Sequence, residues 1–229
     1  FSWIGLAVGF SILPLSLGRT PSPTFKSHGT VHLKSFYQAV PIGVVGCFAG
    51  GLVVGVVYML FALTMKESGL SGQELSWAMF MVLFGGACLQ YPLGWISSRI
   101  DRPLFLALVC VAGAVAMIPL FYSIQSQPNL YYALMFTVGG VLFSLYPTST
   151  VHACSFTEPE HLMATVSGSL LAYGLGAMVG PTLAALFVKV GGPLGVYAFV
   201  MTVLLSFALF IAWKSLQRRS RSRLGSSPR

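Results

Sequence analysis

The residues best equipped for chemistry cluster in one polar break of the chain. Arg99, Asp101 and Arg102 stand within four positions, behind Gly94 and Ser98. A guanidinium is a fork of donors that is always charged, so Arg99 and Arg102 suit helix-end carbonyls or an acid. Asp101 precedes Arg102 and Pro103. Proline there fits the first turn of a helix, and a carboxylate at that end gains about 0.3–1 kcal/mol from the helix dipole. Catalytic chemistry finds less support. Ser167-Gly168 resembles part of a Gly-x-Ser-Gly nucleophile turn, but Thr165 occupies the first position. Outside segment 18–38 the only histidines are His152 and His161, each at a helix end or in a loop. A serine nucleophile needs a nearby base, so a hydrolase is rejected and no catalytic residue is assigned. Cys47, Cys88, Cys110 and Cys154 have neither metal nor redox spacing and read as small hydrophobes. No metal site and no cofactor is expected.

A second group of polar residues lies inside apolar runs. Thr137, Gly140, Ser144, Thr148 and His152 recur at steps of three or four, as do Thr165, Ser169, Tyr173, Gly176 and Gly180. Each set forms one stripe on a helix. Lipid is a poor solvent for such a stripe, so both are expected to face protein or a water-filled cavity. The competing expectation is that each hydroxyl bonds a carbonyl of its own helix. The candidate substrate cavity is Tyr58, Ser144, Tyr146, Ser169 and Tyr173, with Gln90 nearer the cytoplasm. A wall of tyrosines suits a neutral or amphipathic small molecule. The acids Glu67, Glu74, Asp101, Glu158 and Glu160 all avoid the middle of an apolar run, as do Lys and Arg. Buried ionisable groups mark proton pathways in membranes, so this chain carries no evident proton carrier. His152 reads as structural.

The elements that must position these residues are long apolar helices. The chain of 229 residues is 55% hydrophobic and 8% charged. Soluble domains carry roughly a quarter charged residues. A bilayer removes the need to cover so much apolar surface. A span needs roughly 20 apolar residues. The candidates are 40–63, 75–93, 104–123, 130–151, 162–188 and 194–213, with 1–17 as the end of a preceding span. The fold class is therefore all-α, a polytopic transmembrane helix bundle. Short connections make consecutive helices antiparallel. Of the thirteen basic residues, only Lys66 and Lys189 fall on one side of this arrangement. The other eleven, including Arg99, Arg102 and the cluster Arg218, Arg219, Arg221 and Arg223, fall on the other, which is expected to be cytoplasmic. The net charge of +8 thus reads as membrane orientation rather than nucleic-acid binding. Segment 214–229 is expected to be a basic cytoplasmic tail. Because position 1 is Phe, within an apolar run and with no charged region before it, it is not read as a signal peptide, and upstream sequence is expected to exist.

Small residues and prolines modulate the spans. Gly46/Gly50 and Gly51/Gly55 are small-xxx-small pairs that let helix backbones approach closely. Pro92, Pro119, Pro147 and Pro181 each delete a backbone hydrogen bond. Gly176, Gly180 and Pro181 together make a weak point in their helix.

Segment 91–102, Tyr-Pro-Leu-Gly-Trp-Ile-Ser-Ser-Arg-Ile-Asp-Arg, resembles a signature of the major facilitator superfamily. That signature reads Gly-x-x-x-Asp-Arg-x-Gly-Arg. Gly94, Arg99 and Arg102 match it, whereas Ser98 stands in place of Asp and Asp101 in place of Gly. Leu145-Tyr146-Pro147, His152-Ala153, Val166-Ser167-Gly168, Tyr173-Gly174-Leu175-Gly176-Ala177 and Gly180-Pro181 are similar to the YcaD-like branch of that superfamily. The resemblance implies transport by alternating access between two six-helix halves, this chain being the C-terminal one. Segment 1–17 would end helix six, 18–38 would be the central cytoplasmic loop, and 39–213 the C-terminal six-helix domain. The implied partners are an N-terminal six-helix half, the lipid bilayer and a small-molecule substrate, in a bacterial plasma (inner) membrane. Gly94, Ser98, Arg99, Asp101 and Arg102 would form a cytoplasmic latch, with Gly94 letting the backbone pass close to a neighbour. The rival expectation is a non-transporting scaffold or inactive half-transporter.

Overall fold

A computed structural model describes Phe10 and residues 40–126 and 128–224. The expected features in 1–17 and 18–38 lie outside the described residues, Phe10 apart. Six helices long and apolar enough to cross a membrane follow one another: α1 (Pro41–Glu67), α2 (Gly72–Arg99), α3 (Arg102–Ser126), α4 (Pro128–Cys154), α5 (Leu162–Gly191) and α6 (Leu194–Leu224). A short 3-10 turn, Pro159–His161, leads into α5. The six expected spans are all present, each longer than its apolar run because the flanking polar residues continue the helix. α6 runs past Trp213 to Leu224, so the first part of the expected tail is helical.

Local chemistry sets the ends. Proline at the start of α1 forfeits no hydrogen bond, since the first N–H groups of a helix have no internal partner. Before α2, Ser71 Oγ accepts from the Glu74 N–H, and the Ser71 N–H donates to Glu74 Oε2 at 2.8 Å. This reciprocal pair is a capping box. α5 stops at Gly192, whose φ of +58° only glycine adopts readily and whose N–H donates to Val188 O at 2.8 Å. Pro92, Pro119, Pro147 and Pro181 all sit inside continuous helices. The one change of winding is elsewhere: Val57–Phe61 in α1 is a π-helical turn.

α1 is the centre of the bundle. It packs on α4, α5 and α6, while α2 pairs with α4 and α3 with α6. The apolar window of α1 is 72% buried, against 17% for α2 and 22% for α5. Those two helices therefore present most of their surface outward. The core runs through Val53, Val57 and Phe61 of α1, Leu106 and Leu120 of α3, Leu142 and Leu145 of α4, and Leu204 of α6.

Two crossings bring backbone onto backbone. Between α1 and α5, a Cβ added at Gly51 would strike the Tyr173 carbonyl, and one at Gly55 the Ala177 carbonyl. In return, a Cβ at Gly176 would strike the Phe48 carbonyl, and one at Gly180 the Leu52 carbonyl. The α2–α4 crossing repeats the device, with Gly85 against Phe136 O and Gly139 against Val82 O. The Gly46/Gly50 pair serves a different neighbour: Gly46 meets Ser149 and Phe207, and Gly50 meets the Tyr146 backbone.

Because a carbonyl cannot rotate away as a side chain can, Gly51→Val and Gly176→Val are each expected to destabilise the bundle by about 1–3 kcal/mol or more. Gly174→Ala, where an added Cβ has open space, is the matched control and should leave the thermal midpoint in detergent unchanged apart from a small helix-propensity gain. Equal midpoints for Gly51→Val and Gly174→Ala would show that the crossings do not hold the fold. Ser71→Ala should cost about 0.5–2 kcal/mol, read in the same melts.

Candidate functional site

At the end of the bundle where α2 stops and α3 begins, a cleft of about 790 Å³ opens. Ser97, Ser98, Asp101, Arg102, His152, Ser155 and Ser215 supply its polar lining. The sequence folds this way because α2 ends at Arg99 and α3 begins at Arg102, leaving two residues to turn the chain. Asp101 sits just ahead of α3, and its carbonyl accepts the Phe105 N–H at 2.9 Å.

Arg102 reaches across to the last turn of α4. Its Nη1 donates to Val151 O at 3.3 Å and to Ser155 Oγ, while Ser155 Oγ donates to Val151 O at 2.7 Å. Val151 O also accepts the Ser155 N–H at 3.1 Å, so what favours the guanidinium here is the negative end of the α4 dipole rather than an unpartnered carbonyl. Arg99 behaves differently. Its guanidinium stacks over the Trp95 ring of its own helix, 4.0 Å from the centroid. Ser98 Oγ donates to Trp95 O at 2.7 Å. Gly94 departs from expectation: among the described residues nothing lies within 4 Å of a Cβ placed there. The close approach expected of it is not made among the described residues, because Gly94 faces outward on the little-buried α2. Of the five expected latch residues, the cleft gathers Ser98, Asp101 and Arg102. His152 joins them as a buried residue, its ring edge-on to Phe156 at 5.1 Å. Ser155 was not singled out from the sequence; its place one residue beyond the α4 helix end was the available signal.

The expected cavity residues divide into two sets. Tyr58 is 57% exposed, and its ring meets Phe143 edge-on at 6.0 Å. Tyr146 of α4 and Tyr173 of α5 are half-buried with ring centroids 4.7 Å apart, inclined at 47°. Gln90 is exposed on α2. Tyr58 and Gln90 stand on open surface, whereas Tyr146 and Tyr173 pack on the cluster of Val44, Cys47, Ala153 and Ala172. Ser144 and Ser169 are not on open surface, a correction to the sequence reading. Ser144 is buried and donates to Val141 O at 2.8 Å, so its hydroxyl is engaged within α4. Ser169 is wholly buried, on the face of α5 that meets α1. The Cys47 thiol beside it lies 3.4 Å from Thr150 Oγ1.

The stripes on α4 and α5 thus run into the protein. Gly140, Thr148 and His152 are buried like Ser144, and only Thr137 at the far end is exposed. On α5, Thr165, Gly176 and Gly180 are buried too, the two glycines against α1. Phe143 and the π-turn that carries Tyr58 were not found from the sequence. A π-turn has no compositional signature, and Phe143 reads there as one more apolar residue.

Residues 43–229 match the family model described as Major Facilitator Superfamily. Among curated relatives, the chain is 29% identical over 193 residues to the protein named uncharacterized MFS-type transporter YcaD of Escherichia coli O9:H4 (strain HS), and equally to those of strains K12 / DH10B and O157:H7 (strain EC4115 / EHEC). The alignment covers 82% of this chain and 48% of each relative, so the chain spans about half the length of the curated relatives it matches. A match over most of the chain, on a bundle of six membrane-length helices, assigns it: this integral membrane chain belongs to the major facilitator superfamily.

Proposed function

We propose that this chain forms one wall of a transporter that moves a small molecule across the inner membrane of a bacterium by alternating access. The observation that carries the reading is that two membrane-length helices, α2 and α5, are largely unburied while polar-tipped Tyr58 and Gln90 are exposed on the bundle. Polar groups such as Gln90 and the tyrosine hydroxyls are costly against lipid, so a second six-helix unit facing them is the economical partner. Family membership and the half-length match to YcaD support it. Residues 39–213 form the C-terminal half in this reading, with segment 18–38 leading in from the other half. Arg99, Arg102 and Lys214 share one end of the bundle, which the excess of basic residues makes cytoplasmic.

In the same reading, the cleft around Arg102 works as a latch. Arg102 fastens the start of α3 to the end of α4, so the two helices move as a unit when the halves rock. Gly94, unopposed among the described residues, is the point where the other half approaches.

Three measurements test this proposal. Vesicles containing the transporter should show saturable uptake in a solute screen; correct insertion with no saturable flux for any solute would leave the scaffold alternative. Arg102→Ala and Gly94→Val should each lower uptake at least tenfold with expression intact. Gly94→Val should do so without changing the melting temperature of this chain, since its Cβ has space; wild-type uptake in both variants would remove the latch. In a cysteine-free background, Tyr58→Cys and Gln90→Cys should react with a membrane-impermeant thiol reagent, and Ser144→Cys and Ser169→Cys should not. Labelling of the two serine positions instead would relocate the wall.

A further inference from the structure

The cleft at the α2–α3 turn has room that the contacts of Arg102 leave unused. Its volume of about 790 Å³ falls within the roughly 300–1,000 Å³ of ligand pockets. A guanidinium has five N–H donors, and among the described residues only Nη1 of Arg102 is engaged, by two neutral partners. The serines around it offer the opposite polarity. Ser97, Ser98 and Ser155 each donate to a backbone carbonyl nearby in the chain, so they turn lone pairs to the cleft. The Asp101 carboxylate adds further acceptors.

The cleft stands at the depth of lipid headgroups. Trp95 and Trp213, each 53% exposed, lie at this end of α2 and α6. Both carry a cation, with the Arg99 guanidinium 4.0 Å from the Trp95 ring and Lys214 Nζ 4.9 Å from the Trp213 ring. Exposed tryptophan and snorkelling basic side chains mark the membrane–water boundary. Leu104 lines the cleft and also begins an exposed stripe down α3, continued by Leu108, Val111, Val115 and Ile118. Their steps of four and three put them on one helix face. From Leu104 to Val115 is about 16 Å, close to half of the roughly 30 Å of hydrocarbon in a bilayer.

We propose that the cleft binds the headgroup of an anionic phospholipid of the phosphatidylglycerol class, drawn from the cytoplasmic leaflet, with an acyl chain laid along the 104–115 stripe of α3. The phosphate takes the remaining N–H groups of Arg102, a charge-assisted pairing that the planar fork favours. The glycerol hydroxyls donate to Asp101 and to the serine lone pairs. An ammonium headgroup would also meet these acceptors, but the flanks of the cleft oppose it. Arg99 and Lys214 adjoin the lining residues Ser98 and Ser215, and α6 continues through Arg218, Arg219, Arg221 and Arg223. Glu158 and Glu160, in the connection after α4, are not among the lining residues. A soluble phosphate ester would leave the α3 stripe uncovered. The inference rests on this end being cytoplasmic and not on the transport reading.

The test is native mass spectrometry of the detergent-solubilised protein titrated with dioleoylphosphatidylglycerol, with dioleoylphosphatidylethanolamine and glycerol 3-phosphate as competitors. One phosphatidylglycerol should bind saturably, about fivefold or more tighter than phosphatidylethanolamine, and glycerol 3-phosphate should not displace it. Arg102→Gln, and Ser98→Glu, which sets a second carboxylate in the cleft, should each weaken binding about fivefold, while Lys189→Gln at the opposite end should leave it unchanged. Ser98 is exposed, so Ser98→Glu keeps the test decisive if Arg102→Gln misfolds. Equal affinity for phosphatidylethanolamine, displacement by glycerol 3-phosphate, an equal loss in Lys189→Gln, or wild-type binding in Ser98→Glu would each overturn the inference. Saturable uptake without selective lipid binding defeats this inference alone. Selective lipid binding with no flux of any solute keeps the site and defeats the transport reading.

Discussion

Backbone-to-backbone contact at glycine is the constraint on which the rest of this bundle depends. Lipid tails are as apolar as leucine, so no hydrophobic gain drives one span against another. What remains is dispersion between surfaces that fit closely, and the fit is closest where no side chain intervenes. At the α1–α5 crossing, glycines alternate between the partners, Gly51 and Gly55 on one and Gly176 and Gly180 on the other. Each lies against a carbonyl of the opposite helix, a group that cannot move without unwinding a turn. The α2–α4 crossing uses Gly85 and Gly139 in the same reciprocal way. α4 packs on α1 and also touches α5, so the two crossings are joined through α4.

This arrangement decides which polar groups stay hidden. Once α5 turns its small residues to α1, Thr165 and Ser169 follow them inward, because they share that stripe. Ser144, Thr148 and His152 are drawn inward on α4 by the same logic. The tyrosines escape burial because they are too large for a close crossing. Tyr173 offers its carbonyl to Gly51, but its ring must lie beside the contact rather than within it. Close packing of small residues therefore leaves the Tyr146 and Tyr173 rings half-buried at the margin of the crossing, while Tyr58 is exposed.

Much of this was legible in the sequence. Helix number followed from apolar length, which the bilayer thickness sets. The two faces of α1 were legible too: Gly46/Gly50 and Gly51/Gly55 are five residues apart, or about 140° around a helix. They cannot serve one neighbour, and they do not, the first pair meeting α4 and the second α5. The depth of the hydroxyls was not legible. A stripe of Ser and Thr looks the same whether it faces water or another helix, and only the partner helix distinguishes them. Ser144 and Ser169 were misplaced on that account. The π-turn was also hidden, since neither Pro nor Gly marks Val57–Phe61. The capping box at Ser71 and Glu74 was readable from its spacing but lay outside the residues that chemistry brought forward.

The departure of the α2–α3 segment from its family pattern has a physical consequence. The signature places an acid at the position of Ser98, in the last turn of α2, where the helix dipole is negative. Here the carboxylate stands three residues later, at Asp101, immediately before α3, where the dipole is positive. The move exchanges an unfavourable helix end for a favourable one, a difference of about 0.6–2 kcal/mol if each end contributes its usual amount. Ser98 then satisfies its hydroxyl on Trp95 O. Arg99, without an acid beside it on α2, folds back over the Trp95 ring, and Arg102 turns to the carbonyl end of α4. The segment thereby ties α3 to α4 through a neutral acceptor, and the force holding it there is a dipole rather than a carboxylate. A bond to a carbonyl is weaker than one to an ionised acid.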